Sequence, residues 1–320
     1  MPQKPLSGLL VLAAFLVAGT AAAEKIDFDQ GVDVQGVVDS FSPKTDKTDP
    51  ARQALERTFK VNASHKVHAK GFIRKDLSAA DWQTFSHVKG AMPDTLDLRS
   101  KLTQVEDQGM CGSCWAFSLT ATHRDGFAVK GNDPGRLSQE WLVDNSKEAS
   151  GCQGGDFDSA NDFVTPKGQP LWSECPYRHG SGKCKADLPL AAHITGWHML
   201  GEKGKGPTTR DIEAYMSGSG RPLSIAVAAG AGSWESYDSG VYNACVTAEL
   251  YHMINIVGWD NEGAAFDENG SLPPGKGVWI LRNSWGESWG EGGYMRTKMT
   301  DASGKRCNGV AEEAAYFDFE

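Results

Sequence analysis

The chain has 320 residues, with 32 Lys and Arg against 41 Asp and Glu, a formal charge of −9, and seven cysteines. That acidic balance makes it a poor ligand for nucleic acid, which selects basic surfaces. Only the N-terminal stretch is strongly apolar, and it is shorter than the ~20 residues a bilayer requires. The mature chain is therefore expected to be soluble, without a membrane partner.

Residues 1–23 read as a secretory signal peptide: Lys4 supplies a positive start, Leu9 to Val17 an apolar centre, and Ala21-Ala22-Ala23 a small-residue cleavage site. Secretion to a periplasmic or extracellular space follows, with an acidic vesicular compartment as the alternative. Residues 24–91 contain no cysteine and divide by charge. Glu24 to Pro50 is acidic, whereas Ala51 to Lys75 carries Arg52, Arg57, Lys60, Lys66, Lys70, Arg74 and Lys75. Their position suggests a propeptide removed on activation. Leu55, Phe59 and Asn62 have a spacing compatible with one helical face. Through position 91 there are 12 basic and 10 acidic residues, leaving 20 and 31 for residues 92–320. The remainder thus carries about −11, a surface on which a basic pro-segment can dock and from which carboxylate protonation would release it. Two separately solvated charge patterns would look the same.

The run Gln108-Gly109-Met110-Cys111-Gly112-Ser113-Cys114-Trp115-Ala116-Phe117 is the densest in chemistry. No Pro or Gly follows Cys114 until Gly126, so Cys114 is expected to open a helix. A thiol there feels the positive end of the helix dipole, which favours the thiolate. The free first-turn amide of Cys114 and the side-chain amide of Gln108 would together suit a developing oxyanion. Further on, His252 begins the apolar run Met253 to Trp259, read as a buried strand. Val241 to Trp285 fits strands interrupted by a Gly/Pro/acid-rich loop, Asp260 to Gly277, whose acids lack the spacing of a calcium loop. Seven cysteines leave one without a partner in a secreted chain.

Four segments resemble, in order, the motifs of papain-like cysteine peptidases. They are Gln108 to Phe117, Gly151-Cys152-Gln153-Gly154-Gly155, Tyr251 to Trp259, and Trp279-Ile280-Leu281-Arg282-Asn283-Ser284-Trp285-Gly286-Glu287-Ser288-Trp289-Gly290. The resemblance covers 92–320, some 229 residues, and implies an α+β, two-lobed fold. A mainly helical left lobe and a β-barrel-like right lobe would flank the active-site cleft. Met92 to Arg99 resembles the first mature strand, with Leu98 in place of a usual Trp. The interlocked helix motif of the family's propeptides is represented only by Glu56, Phe59 and Asn62.

The resemblance implies that Cys114 is the nucleophile, paired with His252, 138 residues later. Asn283 would orient the imidazole, Gln108 would complete the oxyanion site, and Trp285 would shield the His–Asn bond. Trp289 is expected either on the leaving-group side or simply in the core. It also implies the disulfides Cys111–Cys152 and Cys245–Cys307. Asn145 stands where relatives carry a cysteine, and an extra Cys175 lies nearby, so Cys175–Cys184 is expected to close a local loop while Cys114 stays free. Gly154, Gly155, Asp156 and Phe157 would lie beside the pocket for the second substrate residue before the cleaved bond, with Ala226 and Met253 as walls. Glu313 falls at its floor, where it would admit Arg or Lys alongside apolar side chains, unless a one-residue insertion turns it to solvent. Met253 is bulkier than the small residue usual beside the histidine.

A Cys-x-x-Cys pair also suits a redox dithiol, but the His, Asn and Trp segments have no role in that chemistry. No set of four zinc ligands is apparent, and neither metal nor cofactor is expected. A transglutaminase uses a similar dyad, and a proteolytically dead binding module would lack one of the catalytic residues. No insertion resembles the occluding loop of carboxydipeptidases, so the expected activity is that of a monomeric endopeptidase on protein or peptide substrates, with its own propeptide as intramolecular inhibitor.

Overall fold

In the computed structural model, the described residues are 69–85, 92–165, 167–180, 182–230 and 232–319. The expected signal peptide, the Leu55/Phe59/Asn62 pattern and Ala91, the last residue of the expected propeptide, lie outside them.

Helix α1 (Cys114–Ala128) begins at the reactive-cysteine motif and runs 15 residues. Its sequence is apolar or small nearly all round, and it is correspondingly buried on most sides. Helices α2 (Gln139–Asn145) and α3 (Phe157–Val164) pack beside it, each started by a polar side chain. The Ser138 hydroxyl accepts from the Trp141 amide, and the Asp156 carboxylate from the Phe157 amide. These caps satisfy first-turn donors that would otherwise be orphaned in the interior. The core here gathers Trp115, Leu119, Trp141, Leu142 and Phe157.

The other core forms on a nine-stranded sheet. Its strands are β1 (Trp82–Gln83), β2 (Thr95–Asp97), β5 (Gly196–Leu200), β6 (Leu223–Val227), β7 (Val241–Tyr242), β8 (His252–Asp260), β9 (Val278–Arg282), β10 (Tyr294–Lys298) and β11 (Ala314–Asp318), while β3 (Gln169–Pro170) and β4 (Leu190–Ala192) pair separately. The main path is β1-β5-β11-β6-β8-β9-β10-β7, and β2 pairs with β8. Residues 252–256 of β8 face β6, and 258–260 face β2 along the same edge, with β9 on the other. Both β8 and β9 are buried almost throughout, as their unbroken apolar runs require. Helix α4 (Thr209–Ser219) and the short α5 (Gly232–Glu235) complete this half. Trp234, Trp259, Trp279 and Trp285 fill its core. The β8–β9 connection spans the acid-rich segment expected to be a loop.

A buried polar knot joins α1 to the sheet. Asp125 meets Arg282 at 2.5 Å and accepts from the Thr103 amide and hydroxyl. Arg282 also donates to the Thr103 carbonyl and Asn255 Oδ1. Asn255 Nδ2 in turn donates to Ser118 O and Thr122 Oγ1. No helix among the described residues is long and apolar enough to cross a membrane.

Candidate active site

Three elements deliver the chemistry. Cys114 is the first residue of α1, His252 the first of β8, and Asn283 directly follows β9. The register pairs Asn255 with Arg282, so Asn283 falls diagonal to His252 on the same face of the ladder, close enough for side chains to meet. They do: His252 Nε2 lies 2.9 Å from Asn283 Oδ1. The Ser284 amide donates to that same oxygen at 2.8 Å, identifying it as an acceptor. Nε2 is therefore the donor, and Nδ1 is left as the nitrogen that exchanges a proton. Trp285 stacks on the imidazole at 4.9 Å and 25°, and it is itself almost fully buried. Trp289 packs edge-on against Trp285 at 5.2 Å.

Six cysteines form Cys111–Cys152, Cys175–Cys184 and Cys245–Cys307, leaving Cys114 as the free thiol. Asn145 Nδ2 donates to the Cys184 carbonyl at 3.3 Å, so this position faces that residue. Backbone amides of Met253, Gly71 and Trp115 point at the Cys114 sulfur. Burial nevertheless outweighs them and pushes the thiol up to about 11. The sequence leads one to expect a thiolate here. Part of that burial comes from a polypeptide segment that lies over the sulfur.

That segment is residues 69–75. The Gly71 amide donates to Cys114 Sγ at 3.2 Å, and the Ala69 carbonyl accepts from Gln108 Nε2 at 2.9 Å. Gln108 is held for this by Ser284, whose hydroxyl donates to Gln108 Oε1 at 2.6 Å. Around Phe72 the segment pairs in parallel with Gly155: the Ile73 amide donates to Gly155 O, and the Gly155 amide donates to Gly71 O. Glycine is required here twice. Gly154 has φ +137°, and a Cβ on Gly155 would fall 2.7 Å from the Trp115 ring.

The walls follow from the same strand. Phe72 is buried edge-on against Phe157 at 5.6 Å, in one cluster with Ala226, Leu250 and Met253. The expected pocket residues are thus together, and an aromatic ring fills the space. Asp156 acts differently from a lining group: it caps α3 and accepts from the Lys75 amide. Burial first, then the neighbouring Asp158 and Glu313 charges, push its carboxyl up to about 7, against the pull of those amides. Glu313 is not turned to solvent. It is buried, its carbonyl accepts from Ala226, and its carboxylate meets Arg74 at 2.6 Å. Lys75 pairs with Asp158 at 3.0 Å, and Lys70 with Glu235. Among the other described histidines, His123 is buried against Gln169 and Phe317, and His198 pairs with Asp318.

Ser284, Glu235 and Tyr251 escaped the motif reading as cleft residues. Ser284 lies inside the asparagine motif, and its position beside Asn283 was the available signal. Glu235 stands in a short polar stretch that carries no pattern.

Comparisons place this geometry. The chain is 34% identical over 256 residues to cysteine proteinase EP-B 1 of Hordeum vulgare, covering 77% of this chain and 62% of that relative. It therefore spans somewhat under two thirds of the relative's length. Among solved structures, the bromelain protease of Ananas comosus in complex with the E64 inhibitor matches with a TM-score of 0.58 and 31% identity, over 71% of this chain and all of that one. A recombinant stem bromelain precursor matches with a TM-score of 0.65 and 26% identity, over 89% and 98%. The family profile described as papain family cysteine protease matches residues 92–317. The chain belongs to the papain family of cysteine proteases.

Proposed function

We propose that the chain is the precursor of a secreted cysteine endopeptidase whose cleft is closed by its own residues 69–75. One observation carries the reading. The free thiol sits at the N-terminus of α1 against the amide of Met253, the residue after His252, whose Nε2 is fixed by Asn283 under Trp285. Once uncovered, the sulfur gains water, and its proton passes to Nδ1 of the neutral His252, leaving a thiolate beside an imidazolium. The thiolate attacks a peptide carbonyl carbon, and the oxyanion is met by Gln108 Nε2 and the Cys114 amide. The C–N bond breaks as His252 gives its proton to the leaving amine. Water, deprotonated by His252, then cleaves the thioester and regenerates the thiol.

The same chemistry explains why residues 69–75 survive in the cleft. They present an amide nitrogen to the sulfur instead of a carbonyl carbon, and the carbonyl on Gln108 belongs to Ala69, two residues away. Removal of residues 1–23 as a signal peptide and 24–91 as a propeptide completes the reading, leaving 92–320 as the active unit.

The test is active-site titration of the processed protein with an epoxysuccinyl thiol trap, followed by peptide mapping and a dipeptidyl-coumarin assay, with Cys114→Ala as control. Stoichiometric labelling of Cys114 with matching loss of hydrolysis is expected. Absence of both labelling and turnover after propeptide removal would sink the peptidase and leave a binding module.

A further inference from the structure

The pro-segment also samples the side of the cleft that receives the leaving group. Gly71 lies on the sulfur. To one side Phe72 enters the Phe157 cluster, and to the other Lys70 reaches toward Trp285. The Lys70 ammonium pairs with the Glu235 carboxylate and sits 5.8 Å from the Tyr251 ring centre and 6.0 Å from that of Trp285. Its side chain is 18% exposed and that of Glu235 23%, so water only partly screens the contact.

The groups around this ammonium belong to the permanent body of the protein. Glu235 ends α5, whose Trp234 is locked in the core, and the Glu235 carbonyl accepts from Trp289 Nε1 at 3.1 Å. Tyr251 directly precedes His252, and its hydroxyl occupies space open only because residue 230 is glycine: a Cβ there would lie 1.5 Å from the oxygen. A carboxylate and two ring faces converging on one point make a cation site. Each component favours an ammonium or guanidinium over a neutral side chain, and the carboxylate repels an anion. Because these groups are held from behind, little ordering is needed on binding.

We infer that Glu235, Tyr251 and Trp285 form a subsite selecting Lys or Arg immediately after the cleaved bond. This rests on the peptidase reading above. The cradle reads the side-chain cation of the residue next to the one on the sulfur. Glu235 is then a specificity-determining residue, and the leaving-group side of the cleft carries a charge preference separate from that of the Phe72 pocket.

The experiment uses internally quenched peptides of constant sequence, with Phe two residues before the scissile bond and Lys, Ala or Glu directly after it. Cut positions are verified by mass spectrometry, and the enzyme is processed from the full chain. For the wild type, kcat/KM with Lys should exceed that with Ala about tenfold, and that with Glu by more. Glu235→Gln should bring the Lys-to-Ala ratio to within about twofold of unity, and Glu235→Lys should invert the preference toward Glu. A wild-type ratio near unity, or a preference that survives both substitutions, overturns the subsite. Wild-type hydrolysis of a dipeptidyl-coumarin, which has no residue at that position, separates the two readings. Coumarin hydrolysis without a Lys preference overturns the subsite alone, while no hydrolysis of any substrate overturns the peptidase and the subsite together.

Discussion

The two ends of helix α1 are both polar and both buried, yet they are satisfied in different ways. At the C-terminal end, Asp125 is held by Arg282 and Thr103, and Arg282 by Thr103 and Asn255. Every partner belongs to the permanent body. At the N-terminal end, Cys114 and Gln108 receive an amide and a carbonyl from residues 69–71, a segment proposed to leave. The first arrangement fixes the helix against the sheet. The second buries a thiol whose pKa burial raises. A single helix thus carries a structural anchor and a reactive cysteine about three turns apart.

The sharpest way to break the anchor is to remove one charge. Asp125→Ala leaves the Arg282 guanidinium buried without a counter-ion and should cost about 3–5 kcal/mol of stability. Urea denaturation of the processed enzyme reads this, and an unchanged midpoint would show that the knot is not what holds the helix. Because Arg282 immediately precedes Asn283, a smaller loss of kcat should accompany it.

Glu213 on α4 offers an intermediate case: a carboxyl in the permanent body, buried, to which the Asn261 side-chain amide donates at 3.0 Å. Burial raises it from the usual 4.5 to about 8, and the nearby Asp94 adds to the effect against the Asn261 bond. The folded chain therefore holds this proton more tightly than the unfolded chain. The associated stability is complete below about pH 4.5 and is lost as pH rises through about 8. Glu213→Gln keeps an acceptor for Asn261 and removes the titration. Relative to this variant, the wild type should lose about 4 kcal/mol between pH 4.5 and 8. Parallel stability–pH curves for the two proteins would refute the assignment.

Much of the catalytic floor was legible because its residues lie in contiguous motifs. Cys114 opening α1, the buried run from His252, and the loop from Asp260 to Gly277 all follow from local pattern, and each is a segment whose neighbours in sequence are its neighbours in space. The anchor and the cover were not legible in that way. Asp125 and Arg282 are 157 positions apart, and nothing in the helix pattern around Asp125 marks it as paired. Lys70, Arg74 and Lys75 could be read only as a net basic stretch. Their partners, Glu235 on α5, Asp158 on α3 and Glu313 just before β11, are far apart in sequence, and only the folded topology brings them to one segment. Charge composition predicted attraction between pro-segment and body without saying which carboxylates supply it.

A subtler test addresses how the site beneath the cover is prepared. Ser284→Ala removes the hydroxyl that donates to Gln108 Oε1, leaving a buried acceptor unpaired and the amide free to rotate. The donor for the oxyanion is then no longer aimed, so kcat should fall about tenfold with KM within twofold. A general structural defect would instead lower the thermal midpoint and raise KM.

The smallest effect belongs to the rim of the cover. The Arg74 side chain is 58% exposed although its partner Glu313 is buried, so solvent screens most of this pair and it contributes at most about 1 kcal/mol. Arg74→Ala in the full-length precursor should therefore speed labelling of Cys114 by a small thiol reagent by no more than about fivefold. The backbone bonds of Gly71, Phe72 and Ile73, together with the buried Phe72 ring, remain to hold the segment. Labelling accelerated a hundredfold would mean that Arg74 is the latch and the backbone pairing is secondary. Such a result would move the boundary between anchor and switch from the sulfur to the far wall of the cleft.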